Sequence, residues 1–251
     1  VLKRSDISVH VPSSGRPDKA LRTKTKFLPD AIVYVAEREK QAYLDAGIPP
    51  DALRTHPNLE GMGRIRNFLH DDCKTLVCLQ VDDDFESVLA RPGLRMRTIR
   101  RPELLGDLIY STALVASDMG VSLFGWGVQA WSLTYKDHDP LGVRGPFGGA
   151  VGTIGKLARW DDRLVIAEDC DVVMRELLER RIVFQDKRFY WNFGKIAGGT
   201  GGLQSVRSKE RCDKDKALLR QKWGDFVRFK EDRPGVACSV VIPRKHDWAK
   251  G

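Results

Sequence analysis

The sequence predicts an α/β domain built on a parallel sheet, from three observations. Thr75 to Phe85 reads TLVCLQVDDDF, a short, partly β-branched and nearly charge-free run that stops at three aspartates. Such a run suits a strand buried on both faces of a parallel sheet. Upstream, strand-like segments alternate with stretches of helical periodicity, and 251 residues are enough for a substantial core in one domain. Open α/β sheets place their ligands at C-terminal strand ends, where Asp82, Asp83 and Asp84 fall.

The elements follow in order. Ile7, Val9 and Val11 alternate with Ser8 and His10 before Pro12, a first strand feeding the loop PSSGRP. Residues 31–36 (AIVYVA) form a second strand, EREKQAYLDAG a helix stopped by Gly47, and Leu53 to His56 a short third strand. In GMGRIRNFLH, Ile65, Phe68 and Leu69 have helical spacing and lead into the strand from Leu76 that ends in the aspartates. Between Arg91 and Arg101 lies the densest positive charge. A helix over 103–118 then carries Leu105, Leu108, Ile109, Thr112, Val115 and Ala116 on one stripe. Strands are expected at 121–126 and 128–133. The glycine-rich stretch 135–156 reads as a functional loop. Leu164 to Ala167 reads as a strand ending in Glu168 and Asp169, before a helix DVVMRELLERR that buries Val172, Val173, Leu177 and Leu178. FQDKRFYWNF is strand-like, AGGTGG a loop, and 209–229 a basic helix.

Composition is that of an ordinary soluble protein, with 42% hydrophobic and 30% charged residues. No segment reaches the roughly 20 apolar residues of a membrane span, and the start has no signal-peptide pattern, so a cytoplasmic location is expected. The five cysteines form no CxxC pair, which suggests neither a disulfide framework nor a zinc site. A net charge of +8 favours a polyanion over acidic partners.

Side chains alternate along extended chain, so Asp82 and Asp84 point one way and Asp83 another. Two carboxylates on one side can share a hard cation, and Mg²⁺ or Mn²⁺ is commonly held by one or two carboxylates plus substrate phosphates. The alternative is an acidic turn left in water.

The first strand with PSSGRP, the GMGRIRN helix start, VDDDF and then AEDCDVV follow the order of features in GT-A glycosyltransferases, which the chain resembles over most of its length. With PSSGRPDKA and the glycine-rich C-terminal loop, it looks most like the TET-associated glycosyltransferases that modify hydroxymethylated pyrimidines in phage DNA. The resemblance implies a single GT-A, Rossmann-like domain over 1–251, with a mixed, mostly parallel central sheet flanked by helices. Residues 1–85 would bind the nucleotide sugar and 86–251 the acceptor. It implies a UDP-sugar donor and a Mn²⁺ or Mg²⁺ ion. Ser13, Arg16, Arg66, Asp82 and Asp83 would bind the donor, and Asp82, Asp84 and His246 the metal. In inverting members the base is a carboxylate at the position of Asp169 or, second, Glu168.

If the acceptor is DNA, Arg91, Arg95, Arg97, Arg100 and Arg101 are placed to track phosphates. Trp126, Trp131, Trp191, Tyr190 or Phe147 would stack on an extruded base, unless they are core. A polysaccharide, glycolipid or protein acceptor, or a non-catalytic DNA-binding role, are the competing readings.

Overall fold

The computed structural model describes residues 1–90, 97–127, 139–144, 147–193, 208–229 and 238–240. Arg91, Arg95, Trp131, His246, the expected strand over 128–133 and the AGGTGG loop lie outside them. The strands are β1 (Ile7–Pro12), β2 (Ile32–Ala36), β3 (Leu53–His56), β4 (Val77–Val81), β5 (Phe85–Ala90), β6 (Arg97–Ile99), β7 (Leu123–Gly127), β8 (Leu141–Gly142), β9 (Ala150–Ile154), β10 (Phe184–Phe193), β11 (Val227–Phe229) and β12 (Cys238–Val240). The α-helices are α1 (Pro17–Lys26), α2 (Lys40–Asp45), α3 (Met62–Asp72), α4 (Pro102–Asp118), α5 (Glu168–Arg180) and α6 (Lys209–Trp223).

A ten-stranded sheet runs β3-β2-β1-β4-β9-β7-β10-β5-β6, with β8 beside β10. Its first four strands are parallel neighbours, and β7 and β10 are also parallel. Strands β5, β8 and β9 run against the other seven, so the sheet is mixed with one dominant direction. The first half of β10 pairs with β7 and its second half with β5. Only three residues, Asp82 to Asp84, separate β4 from β5 in the chain, although β9, β7 and β10 lie between them in the sheet order.

Alternation along β4 sorts the two faces. Val77, Leu79 and Val81 join the main core with Val11, Phe27, Leu105, Ile109 and Ala113, so α1 and α4 cover that face. On the other face Cys78 and Gln80 reach the backbone of α3, at Leu69 and Arg66, and Val172, Val173 and Leu177 of α5 pack on Leu123 and Val151. The α3 side of β4 is therefore a polar column, Cys78, Gln80, Asp82, that ends at the sheet's C-terminal edge.

Four expectations change. The glycine-rich stretch is partly core, because β9 lies between β4 and β7 at the centre of the sheet. Its Gly152 is there for space, since a Cβ would penetrate the Phe124 ring, and Gly125 of the adjacent β7 likewise leaves room for the Phe147 ring. We expect Gly152→Ala to lower unfolding stability by about 1–3 kcal/mol through overpacking, and an unchanged denaturant midpoint would refute that packing. Leu164–Ala167 is a loop, held by side chains described below. Leu76, Val115 and Leu178 are exposed, at the strand's start and on the outer faces of α4 and α5. Finally, Cys170 and Cys238 form a disulfide between α5 and β12, a pairing 68 residues apart that cysteine spacing could not reveal. Among the described residues no helix is long and apolar enough to cross a membrane.

Candidate active site

The site lies at the C-terminal ends of β1 and β4, opposite the first turn of α5. Two arginines organise it. Arg66, in the second turn of α3 and only 4% exposed, reaches three acceptors. Its Nε donates to Glu168 Oε1 at 3.0 Å, Nη1 to Gln80 Oε1 at 3.3 Å and Nη2 to Asp82 Oδ1 at 3.3 Å. One buried guanidinium thus joins the aspartate triplet to the acidic pair.

Arg16, just before α1, serves the next two aspartates. Its Nη2 is 2.6 Å from Asp83 Oδ1 and its Nη1 is 3.4 Å from Asp84 Oδ2. Asp83 has no exposed surface. It accepts from Ser13 Oγ at 2.5 Å, Ser13 also bonds Tyr43 Oη at 2.7 Å, and Thr23 donates to the Asp83 carbonyl at 2.6 Å. Asp83 and Ser13, both expected at the donor, are buried here and bonded to one another as internal braces. The chain turns at Asp83 and Asp84 after β4 ends, and Asp83 points into the α1 side while Asp82 and Asp84 keep 35% and 18% of their side chains exposed.

Asp82 is held from behind. Its N–H donates to the Gly149 carbonyl at 2.7 Å, and a Cβ at Gly149 would stand 2.6 Å from Asp82 Oδ2. Desolvation, only partly offset by Arg66 and reinforced by Asp84 and Glu168, pushes its pKa up to about 6. The cleft carries surplus negative charge.

The acidic pair is positioned by strain and by buried bonds. Ala167, the residue before α5, has φ +62°, a left-handed conformation that costs an alanine about 1–2 kcal/mol and persists where the surroundings enforce it. Enforcement comes from Asp215 of α6, 2% exposed, whose Oδ2 accepts from the N–H groups of Val165 at 3.0 Å and Ile166 at 2.7 Å. Asn67 ties α3 to the same loop, accepting from the Trp160 N–H at 3.0 Å and donating to Asp162 Oδ1 at 2.7 Å. Lys222 pairs with Asp161 at 2.7 Å and with Asp171 of α5. We expect Asp215→Ala to destabilise the chain by about 1–3 kcal/mol, the cost of buried donors left unpaired; wild-type melting would refute the clamp.

Glu168 and Asp169 differ in consequence. Glu168 is buried and committed to Arg66. Asp169 is part-exposed and accepts a local bond from the Cys170 N–H at 2.9 Å. A helix N-terminus favours ionised carboxylates, yet desolvation and the charge of Glu168 win, raising Asp169 to about 7. An acid poised near neutrality with an accessible oxygen can accept a proton.

Of the arginines read as a DNA track, Arg97, Arg100 and Arg101 are exposed on β6 and just before α4. Arg101 pairs with Glu103 at 3.6 Å. They sit at the sheet edge away from the aspartates, since Arg97 lies opposite Ala90 at the far end of β5. Trp126, Trp191 and Phe147 are core, 1%, 3% and 2% exposed, which removes them as stacking platforms. Asp215, Asp171 and Lys222 were not anticipated. The GMGRIRN segment was, though the role of Asn67 was not.

Among solved structures, the chain superposes on a mycobacterial protein with a TM-score of 0.53 at 13% identity, covering 94% of this chain and 85% of that one. The chain has the GT-A fold. The N-terminal part of S. aureus TarS in complex with UDP-GlcNAc matches with a TM-score of 0.53 at 12% identity, over 86% of this chain and 64% of that one. Glucosyl-3-phosphoglycerate synthase from Mycobacterium tuberculosis, in complex with Mn²⁺, UDP and glucosyl-3-phosphoglycerate, matches with a TM-score of 0.51 at 13% identity, over 87% of this chain and 80% of that one. The chain thus spans less than two thirds of the TarS structure. No family model and no curated protein matches the sequence. In this GT-A chain the described cleft, at the C-terminal edge of β4, is where an open α/β sheet takes its ligand.

Proposed function

We propose that the protein is a metal-dependent glycosyltransferase that moves a sugar from a UDP-sugar to a hydroxyl, the acceptor being a modified base in DNA such as 5-hydroxymethylcytosine. One observation carries the catalytic reading: Arg66 joins Asp82 to Glu168, so the aspartate triplet and the acidic pair line one cleft. Solved structures of the same fold are described with UDP-GlcNAc and with Mn²⁺ and UDP, which agrees with that reading. Residues 1–85 would serve the donor and 86–251 the acceptor.

The residues present fit a divalent cation. Asp82 and Asp84 offer hard carboxylate oxygens at a strand end, and the penalty that burial, and after it the charges of Asp84 and Glu168, place on ionised Asp82 is what a cation would relieve. Mg²⁺ or Mn²⁺ held there would supply Lewis-acid stabilisation of the diphosphate leaving group. Arg16, fixed on Asp83 with part of its side chain exposed, presents a cation to the phosphates. Arg66 spends its donors on carboxylates, and thereby orders the donor side and the acceptor side together. Asp169 takes the proton of the acceptor hydroxyl, while Glu168, neutralised by Arg66, holds the first turn of α5 in place.

Support for the DNA acceptor is electrostatic: a net charge of +8 and exposed Arg97, Arg100 and Arg101 along one edge. The test incubates the protein with Mn²⁺, a panel of UDP-sugars and hydroxymethylated or plain DNA, followed by digestion to nucleosides and mass spectrometry. Sugar on hydroxymethylated DNA alone is expected. Transfer only to polysaccharide, glycolipid or protein acceptors would overturn the DNA assignment and keep the enzyme class.

A further inference from the structure

Beneath the cleft, on the α3 side of the sheet, the core holds a cluster that the glycosyltransferase reading does not use. His10 of β1, Cys78 of the adjacent β4 and Cys73, the residue that caps α3, are 1%, 2% and 4% exposed. Parallel strands buried on both faces usually carry aliphatic side chains at such positions. Here the imidazole and both thiols place one ligand atom each within 4.8 Å of the others, and His10 Nδ1 is 3.7 Å from Cys78 Sγ.

We propose that His10, Cys73 and Cys78 bind a zinc ion that fastens β1, β4 and α3 together. In a tetrahedral site with Zn–S of about 2.3 Å and Zn–N of about 2.0 Å, sulfur and nitrogen ligand atoms stand roughly 3.5–3.8 Å apart, so groups within 4.8 Å of one another need to close by no more than about 1.3 Å. Their surroundings are those of a metal site's outer shell. Ser8 Oγ lies 3.0 Å from His10 Nε2, which leaves Nδ1 directed to the thiols, and Gln80 Nε2 approaches Cys78 Sγ at 3.9 Å. Thr75 Oγ1, 3.3 Å from Cys73 Sγ, or a water is the fourth ligand. Thiolate and imidazole select zinc over the hard ions suited to Asp82 and Asp84. On binding, each thiol releases its proton to solvent and both sulfurs become thiolate ligands. The three elements joined carry Ser13, Asp82 to Asp84 and Arg66, so the ion would stiffen the floor of the cleft. This inference stands independently of the proposed activity.

The test is metal content and a cobalt spectrum on the intact protein. Purified without chelator from zinc-supplemented cells, it is expected to hold one zinc per chain. After stripping with chelator under reductant, added Co²⁺ should give thiolate-to-cobalt charge-transfer absorption with the visible bands of a tetrahedral ion, which an all-carboxylate site cannot produce. Cys78→Ser and His10→Gln should lose the charge-transfer signal and the stoichiometric zinc. Cys212→Ser, removing the other buried free cysteine of the described residues, should keep both. Absence of both zinc and the cobalt band in the wild type overturns the proposal whether or not any variant folds. So does full zinc occupancy in Cys78→Ser, or a Cys73–Cys78 disulfide in the native protein.

Discussion

Replacing Asp169 by asparagine is expected to lower kcat by about 10²–10⁴-fold, the usual contribution of a positioned general base. Asparagine keeps the side-chain shape and can accept from the Cys170 N–H as aspartate does, so melting temperature and the KM for the donor should stay close to wild type. The pH profile supplies a second reading. With its carboxylate raised to about 7 by desolvation and by Glu168, Asp169 binds a proton as pH falls through neutrality. Wild-type kcat should therefore drop about tenfold per unit below that point, and the variant's residual rate should lack this limb. An undiminished rate, or an unchanged acidic limb in the variant, would remove Asp169 as the base.

The largest stability effect is expected at Arg66. Truncating one partner of a buried ion pair leaves the other charge uncompensated, at about 3–5 kcal/mol, and here Asp82 and Glu168 both lose their cation. Arg66→Ala should lose that much at pH 8. The sign with pH follows from the carboxylates. Even beside Arg66, Asp82 stands at about 6, above its ordinary 3.8 because it is desolvated, and removing the arginine raises it further. A carboxyl whose folded pKa is raised costs stability as pH climbs from its unfolded value toward its folded value. The deficit of Arg66→Ala should therefore shrink as pH falls from 8 toward 5. Denaturant titrations at the two pH values measure it, and an equal deficit at both would mean that Arg66 acts through packing alone.

Much of this was legible in the chain because the relevant signals are local. The strands β1 to β4 follow alternation or a short apolar run, α3 and α5 have clear periodicity, and the aspartates mark the end of β4. What was hidden depends on tertiary contact. Gly152 looks like a loop residue until the ring of Phe124 is seen to occupy the space of its side chain. Strand β5 begins directly after three charges, which masked its FESVLA pattern. The apolar Leu164 to Ile166 segment resembles a strand, but its N–H groups pair with the Asp215 carboxylate 49 and 50 residues away. Nothing in the sequence shows the buried bond between Ser13 and Asp83, which are 70 residues apart.

The central claim is that the cleft between β4 and α5 holds a nucleotide diphosphate through a cation on Asp82 and Asp84. Calorimetric titration of UDP, with Mn²⁺ present and then with the metal chelated, tests it most directly in the wild type and in Asp84→Ala. The account predicts binding with Mn²⁺ that weakens on chelation, because the ion is shared between the carboxylates and the phosphates, and a comparable loss in Asp84→Ala with folding retained. UDP bound equally well without metal, or undiminished in Asp84→Ala, would contradict it.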